Sequence, residues 1–399
     1  MDCNLFPAGE RILADIESIF KKDLKLNEFV ITLVEMNENK SPVNHMDHCL
    51  CLESWCVPYL YNYTHIRLKE LRKQKKRDLS GHNKLLIGAL LLNPDVTLFW
   101  NMRRELVTNL RIDPQFELQF TSVILSRKPK SPEVFSYRKW VLTVSNSVPL
   151  DPVLLANELQ ICELAANRYH SNYSAWNHRI WCLESVSDPS IYIEEWEKSR
   201  HWVSSHVSDY SGFHYRQKVL QYLVKVSTSD VKILKKCDSS LIKVAINSLQ
   251  QFLHPTDDGF VGNDYKLTTV TKKILKDSKS CQLSFESIEL GLIASELLFN
   301  TDLLVTFPGH EAIWCHRRFI IYVYKKFINK LKMQIEKEAN IHKDSNGVPV
   351  EKDPKFECIS ESLLQRLIQF EEMICIQFKT DFDSVYSDRH SFRLNNLTR

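Results

Sequence analysis

The chain has 399 residues, 44% hydrophobic and 25% charged, with a formal net charge of +3. That apolar content is enough to offset the entropy of ordering, so disorder along the whole chain is excluded. So small a positive excess gives no reason to expect nucleic acid as a partner. Only nine residues are glycine. Tight hairpin turns and phosphate-cradling loops draw on glycine, so the composition argues against an all-β fold, a dinucleotide-binding fold and a P-loop.

The length exceeds what one compact core usually serves, which leaves two domains or an elongated repeat array. The eleven cysteines are scattered, and Met1 to Glu10 shows no basic segment followed by an apolar one. A reducing, cytoplasmic location with free thiols is the expectation. The apolar stretch Leu85 to Leu92 is far too short to span a bilayer, so no transmembrane segment is expected.

Residues 1–80 carry no repeat and read as a helical and basic region, with a helix near Ala8 to Lys21 and a basic run from Arg67 to Arg77. That run reads as a solvated helix face or a flexible arm. His45, His48, Cys49, Cys51 and Cys56 cluster here, but their spacing is irregular and no second Cys-x-x-Cys pair accompanies them. No metal is assigned to them.

From residue 81 a short element recurs: an aromatic residue, then an arginine three positions on. Its copies are Trp100 with Arg103, Phe135 with Arg138 and Trp140, and Trp176 with His178, Arg179 and Trp181. Then come Phe213 with Arg216, and Trp314 with His316 and Arg317. A worn copy is read at Tyr386 with Arg389. The leading aromatics step by 35, 41 and 37 residues, then by 101 and 72. Asp113-Pro114, Asp151-Pro152 and Asp188-Pro189 stand between copies. Aspartate caps a helix and proline suits its first turn, so each unit is a helical hairpin. The spacing predicts hairpins at 82–110, 113–146, 151–186 and 189–225, and a long helix from about Gly309 to Glu338.

The predicted fold is all-α, a right-handed α-solenoid of helical hairpins. Residues 81–225 hold repeats 1–4, and 226–283 hold degenerate helices and a polar insertion. Residues 284–399 hold C-terminal repeats with a polar loop near 338–355. Within each copy the arginine, three residues from the ring, is placed to lie over it or to bond a neighbouring turn's carbonyls. These aromatics, arginines and histidines are read as packing residues, with no catalytic residue assigned among them.

The sequence Asn172-Tyr173-x-x-Trp176-x-His178-Arg179-x-Trp181, set in repeated hairpins, resembles the protein prenyltransferase α-subunit repeat. The resemblance spans about residues 85 to 395 and is strongest from Asn101 to Gln221. It implies a crescent that wraps a β subunit, with the zinc and its ligands in that β subunit and no cofactor in this chain. It implies transfer of an isoprenoid from its diphosphate to a cysteine near the C-terminus of an acceptor protein, with geranylgeranyl favoured by analogy alone.

By the same resemblance, Lys130 stands where the family keeps a lysine near the prenyl diphosphate. Asn172, Tyr173 and Tyr210 fall at the edge that faces the diphosphate and the β subunit. Departures accompany the match. Ser131-Pro132 replaces the family's Asn-Tyr in the second repeat, Ser174 replaces a histidine in the third, and Val96-Thr97 stands in the first. The alternative reading is a non-catalytic α-solenoid that scaffolds or escorts protein partners.

Overall fold

In a computed structural model of the chain, the residues described are 6–34, 41–74, 80–110, 112–145, 147–186, 188–229, 239–253, 285–341, 354–379 and 384–395. They form two compact units, Met1–Ser187 and Asp188–Arg399. The division falls inside the stretch 81–225 read from sequence as one run of repeats.

The first unit opens with helix α1 (Phe6–Lys22), strands β1 (Glu28–Thr32), β2 (Val43–Met46) and β3 (Cys49–Glu53), and helix α2 (Val57–Gln74). Three hairpins follow: α3 (Ser80–Leu92) with α4 (Thr97–Leu110), α5 (Pro114–Arg127) with α6 (Pro132–Val144), and α7 (Pro152–Arg168) with α8 (Tyr173–Val186). The second unit begins with α9 (Pro189–Ser205) and α10 (Tyr210–Ser229), then α11 (Ser239–Leu253). It continues with α12 (Phe285–Thr306), α13 (Glu311–Ile341), α14 (Pro354–Gln377) and α15 (Ser384–Asn395).

The all-α reading holds for the hairpins, and the Asp-Pro signals mark helix starts as expected. Asp113, Asp151 and Asp188 each accept a backbone N–H from the first turn of α5, α7 and α9, with proline at the first helical position. The predicted long helix is α13.

The three-stranded sheet corrects the purely helical reading of residues 1–80. Its order is β1-β3-β2, with β1 parallel and β2 antiparallel to β3. The scarcity of glycine concealed it. The β2–β3 turn uses Asp47 and His48, with φ of 49° and 63°, in the left-handed region that glycine usually supplies. One face of the sheet is core: Phe29, Leu50 and Leu52 are buried. The turn is tied down by Asp23, just past the end of α1, whose carboxylate is bonded by His45 Nε2 at 2.7 Å and His48 Nδ1 at 2.9 Å. Burial alone would raise the Asp23 pKa, but those bonds and the Lys25 amide carry it down to about 2.

The five-residue His/Cys cluster of the sequence is divided by this sheet. His45 and His48 turn to Asp23, Cys49 and Cys51 share the other face, and buried Cys56 donates its Sγ–H to the Glu53 carbonyl. Of the basic run, Arg67 pairs with Glu70 on α2 at 3.0 Å, whereas Lys75, Lys76 and Arg77 lie outside the described residues. So do 230–238 and 254–283 of the predicted insertion, residue 284, and 342–353 of the predicted polar loop.

Candidate functional site: the repeat seam and its exposed corners

The repeat motif places one arginine per hairpin in the core. Arg103, Arg138, Arg216 and Arg317 are almost fully buried. A buried guanidinium must be paired and hydrogen-bonded. Each finds a glutamate on the first helix of the hairpin that follows it. Arg103 donates to both oxygens of Glu117 at 2.9 and 2.7 Å, and Arg138 to both of Glu158 at 2.7 and 2.6 Å. Arg216 does the same to Glu296 at 2.6 Å twice, and Arg317 to Glu371 at 2.7 and 2.8 Å.

The same carboxylates also accept from the second helix of their own hairpin. Tyr137 reaches Glu117 at 2.6 Å, His178 reaches Glu158 at 2.9 Å and His316 reaches Glu296 at 2.6 Å. Tyr215 bonds Glu195 in the same way, and His390 bonds Glu371 at 2.8 Å. The remaining guanidinium nitrogen caps a carbonyl twenty residues back: Leu118 for Arg138, Leu159 for Arg179 and Trp196 for Arg216, each at 2.6 Å. This seam fastens hairpin to hairpin within each unit. Burial works against charge on Glu158 and Glu296. The arginine and histidine beside each nevertheless hold its pKa at about 2.

The motif aromatics divide in two. Trp100, Phe135, Trp176, Phe213 and Trp314 are buried. Trp140 and Trp181 are half-buried and each faces a cation, Arg104 at 5.8 Å from the Trp140 ring and Lys139 at 5.0 Å from that of Trp181. The last motif copy is corrected by two residues. His390, not Tyr386 or Arg389, lines up with the seam, while Arg389 is exposed and 3.6 Å from Glu311.

The seam glutamates were absent from the sequence reading, although a signal existed. Glu117, Glu158, Glu195 and Glu296 each precede their tyrosine or histidine partner by twenty residues.

The four residues assigned to the diphosphate edge separate. Lys130, exposed in the α5–α6 corner, points its Nζ at the Tyr169 ring, 4.5 Å from the centroid and 3.5 Å from the hydroxyl. Tyr173, at the start of α8, is 55% exposed. Tyr210, at the start of α10 in the other unit, is 48% exposed and donates to Glu311 at 3.1 Å; desolvation of its hydroxyl, and then that bond, push its pKa up to about 12.

Asn172 takes a different place. It is fully buried, its amide donates to the carbonyls of Pro129 and Ala165, and its Oδ1 caps Ala175. It builds the α7–α8 corner and offers nothing to a ligand. At the second-repeat departure, Ser131 is buried and bonds Asp95 at 2.7 Å.

Among the described residues, Glu158, His178 and Cys182 bring three potential metal donors within 4.8 Å of one another. Both Glu158 oxygens already serve Arg138, so a cation there would face a guanidinium. No described helix is long and apolar enough to cross a membrane.

Comparison with known proteins agrees with this geometry. The protein prenyltransferase alpha subunit repeat matches at residues 114–144, 155–186, 192–223 and 293–324, which follow the hairpins α5–α6, α7–α8, α9–α10 and α12–α13. The protein prenyltransferase alpha subunit repeat-containing protein 1 of Homo sapiens is 32% identical over 339 residues, covering 79% of this chain and 77% of that protein. Its counterpart in Danio rerio is 32% identical over 340 residues, covering 80% and 73%. The geranylgeranyl transferase type-2 subunit alpha of Saccharomyces cerevisiae is 25% identical over 248 residues, covering 57% and 69%. With its hairpins stitched by the repeat's own arginines and its likeness running through most of its length, the chain belongs to the protein prenyltransferase alpha subunit repeat family.

Proposed function

We propose that this chain is the α-type subunit of a heterodimeric protein prenyltransferase. It pairs with a β-type subunit to transfer an isoprenoid, geranylgeranyl by analogy with its relatives, from the diphosphate to a cysteine thiolate of an acceptor protein. The observation that carries this reading is the exposed Lys130 at the corner where the family keeps a lysine, with exposed Tyr173 at the corner of the next hairpin. Zinc in the β-type partner would supply the lowered thiol pKa. Lys130 would offset the negative charge that grows on the diphosphate as the C–O bond breaks, and Tyr173 would present a phenolic donor to the same group.

The test is co-expression with β-type subunits, followed by purification through this chain and an assay of isoprenoid transfer to an acceptor protein. The pair is expected to transfer, and each subunit alone to be inactive. Activity of this chain alone would overturn the reading. The Ser131–Asp95 bond, where the family has Asn-Tyr, favours the scaffold alternative. That alternative predicts a stable complex with no transfer.

A further inference from the structure

The outer face of the N-terminal sheet carries a sulfur-rich group that the repeat seam does not use. Cys49 and Cys51 are two apart on β3, so their side chains leave the same face of the strand. Their sulfurs stand 3.8 Å apart. Register places Met46 of β2 directly opposite Cys49. Directly opposed residues on one face have Cβ atoms about 4.5–5.5 Å apart, within the reach of a methionine thioether. Met46 is 69% exposed and both cysteines are half-buried, so the group is open to solvent. Leu50 and Leu52, which alternate with the cysteines, are in the core and fix which face the sulfurs occupy.

Two magnitudes decide what the pair is suited to. In an extended strand, residues two apart have Cα atoms about 6.7 Å apart, at the far end of the range that a disulfide spans. A Cys49–Cys51 disulfide would therefore strain β3. By contrast, two thiolates sharing one metal at about 2.3 Å stand about 3.8–4.0 Å apart in tetrahedral to trigonal geometry. The sulfurs already have that separation.

The donor set selects among metals. Zinc takes four nitrogen, sulfur or oxygen ligands, but His45 and His48 are turned to Asp23 and Glu28 accepts from Arg168 at 2.6 Å. What remains is two thiols, a thioether and the weakly coordinating amide of Asn44 opposite Cys51; the three sulfurs are soft donors that favour a monovalent d10 ion.

We propose that Cys49, Cys51 and Met46 form a three-sulfur binding site for a copper(I)-type cation. Both thiols lose their protons to solvent on binding, no electron is transferred, and the ion is held on the solvent face of the sheet. The site draws only on the first unit and is independent of prenyl transfer.

The test is anaerobic titration of the full-length reduced chain with copper(I) against a coloured copper(I) chelator. Wild type is compared with Cys49→Ser/Cys51→Ser, with Cys51→Ala alone and with Met46→Leu, each checked by circular dichroism. Wild type is expected to take one equivalent more from the chelator than either cysteine variant. Met46→Leu is expected to keep that equivalent but release it to lower chelator concentrations. Equal copper uptake by wild type and the folded cysteine variants would overturn the site. Unchanged affinity in Met46→Leu would overturn the three-sulfur assignment. Tighter binding of zinc than of copper(I) at these residues would overturn the choice of ion. A Cys49–Cys51 disulfide in anaerobically purified protein would mark the pair as a redox couple instead.

Discussion

Arg216 and Glu296 lie eighty residues apart in sequence and meet through two hydrogen bonds of 2.6 Å, both side chains fully buried. The arginine closes the α9–α10 hairpin and the glutamate belongs to α12. The repeat seam therefore runs past everything inserted between them, and Trp314, Arg317 and Glu371 continue it in the same register.

Because the seam charges are buried, removing one partner leaves the other uncompensated. Glu158→Ala should destabilise the first unit by about 3–5 kcal/mol, since it strands Arg138 and deprives His178 of its acceptor. Replacing both members of the pair, Arg138→Met with Glu158→Leu, should cost markedly less than the two single changes summed. Urea unfolding of the wild type, Glu158→Ala, Arg138→Met, Glu158→Leu and the double variant reads both values. Additive losses would mean that the pair does not act as a unit.

Stability should depend on pH with a definite sign. Glu158 and Glu296 have folded pKa values of about 2 against an ordinary 4.5, so their contribution is present above about 4.5 and is lost as pH falls toward 2. Burial lowers the His316 pKa, so that neutral histidine contributes above its ordinary 6.5 and adds to the loss below it. Unfolding free energy should fall gently from pH 6.5 and steeply below 4.5. In Glu296→Gln the slope below 4.5 should be shallower. An unchanged slope would show that this carboxylate is not linked to folding.

Lys130→Ala tests the proposed transferase role. Losing one charged contact to a phosphate should slow single-turnover transfer about ten- to hundredfold, with partner affinity retained. Trp176→Ala is the contrast: truncating a buried tryptophan should cost about 3–5 kcal/mol and lower assembly and transfer together. Full transfer by Lys130→Ala would remove that residue's role.

Asn172→Ala should behave as a structural change, although it neighbours Tyr173. It removes a helix cap worth about 0.5–2 kcal/mol and two further buried bonds. The expected loss is in thermal stability, with the transfer rate of the folded fraction unchanged. A rate defect without a stability defect would return Asn172 to the edge.

Asp23→Ala should loosen the β2–β3 turn, because His45, His48 and the Lys25 amide all bond its carboxylate. Losing these hydrogen bonds to a charged carboxylate should cost roughly 1–3 kcal/mol. Hydrogen exchange should quicken across residues 43–53 ahead of the α7–α8 hairpin. Uniform exchange across both segments would show that the clamp does not act locally.

The starts of α5, α7 and α9 and the burial of the leading aromatics Trp100, Phe135, Trp176, Phe213 and Trp314 were legible in the sequence. Asp-Pro caps and a three-residue aromatic–arginine spacing act within one helix, where local chemistry decides the outcome. Tertiary structure alone decided which glutamate each arginine meets. Fourteen to eighty residues separate the partners, and a seam glutamate looks like any polar residue of an amphipathic helix until a neighbouring hairpin buries it. It also decided that Asn172 is interior while Tyr173, one residue on, is exposed, because that depends on how the Pro129 corner packs over α7. The sheet escaped the sequence for a related reason. Asp47 and His48 adopt left-handed φ without glycine, and His48 is held there by Asp23, a contact across twenty-five residues that no local pattern announces.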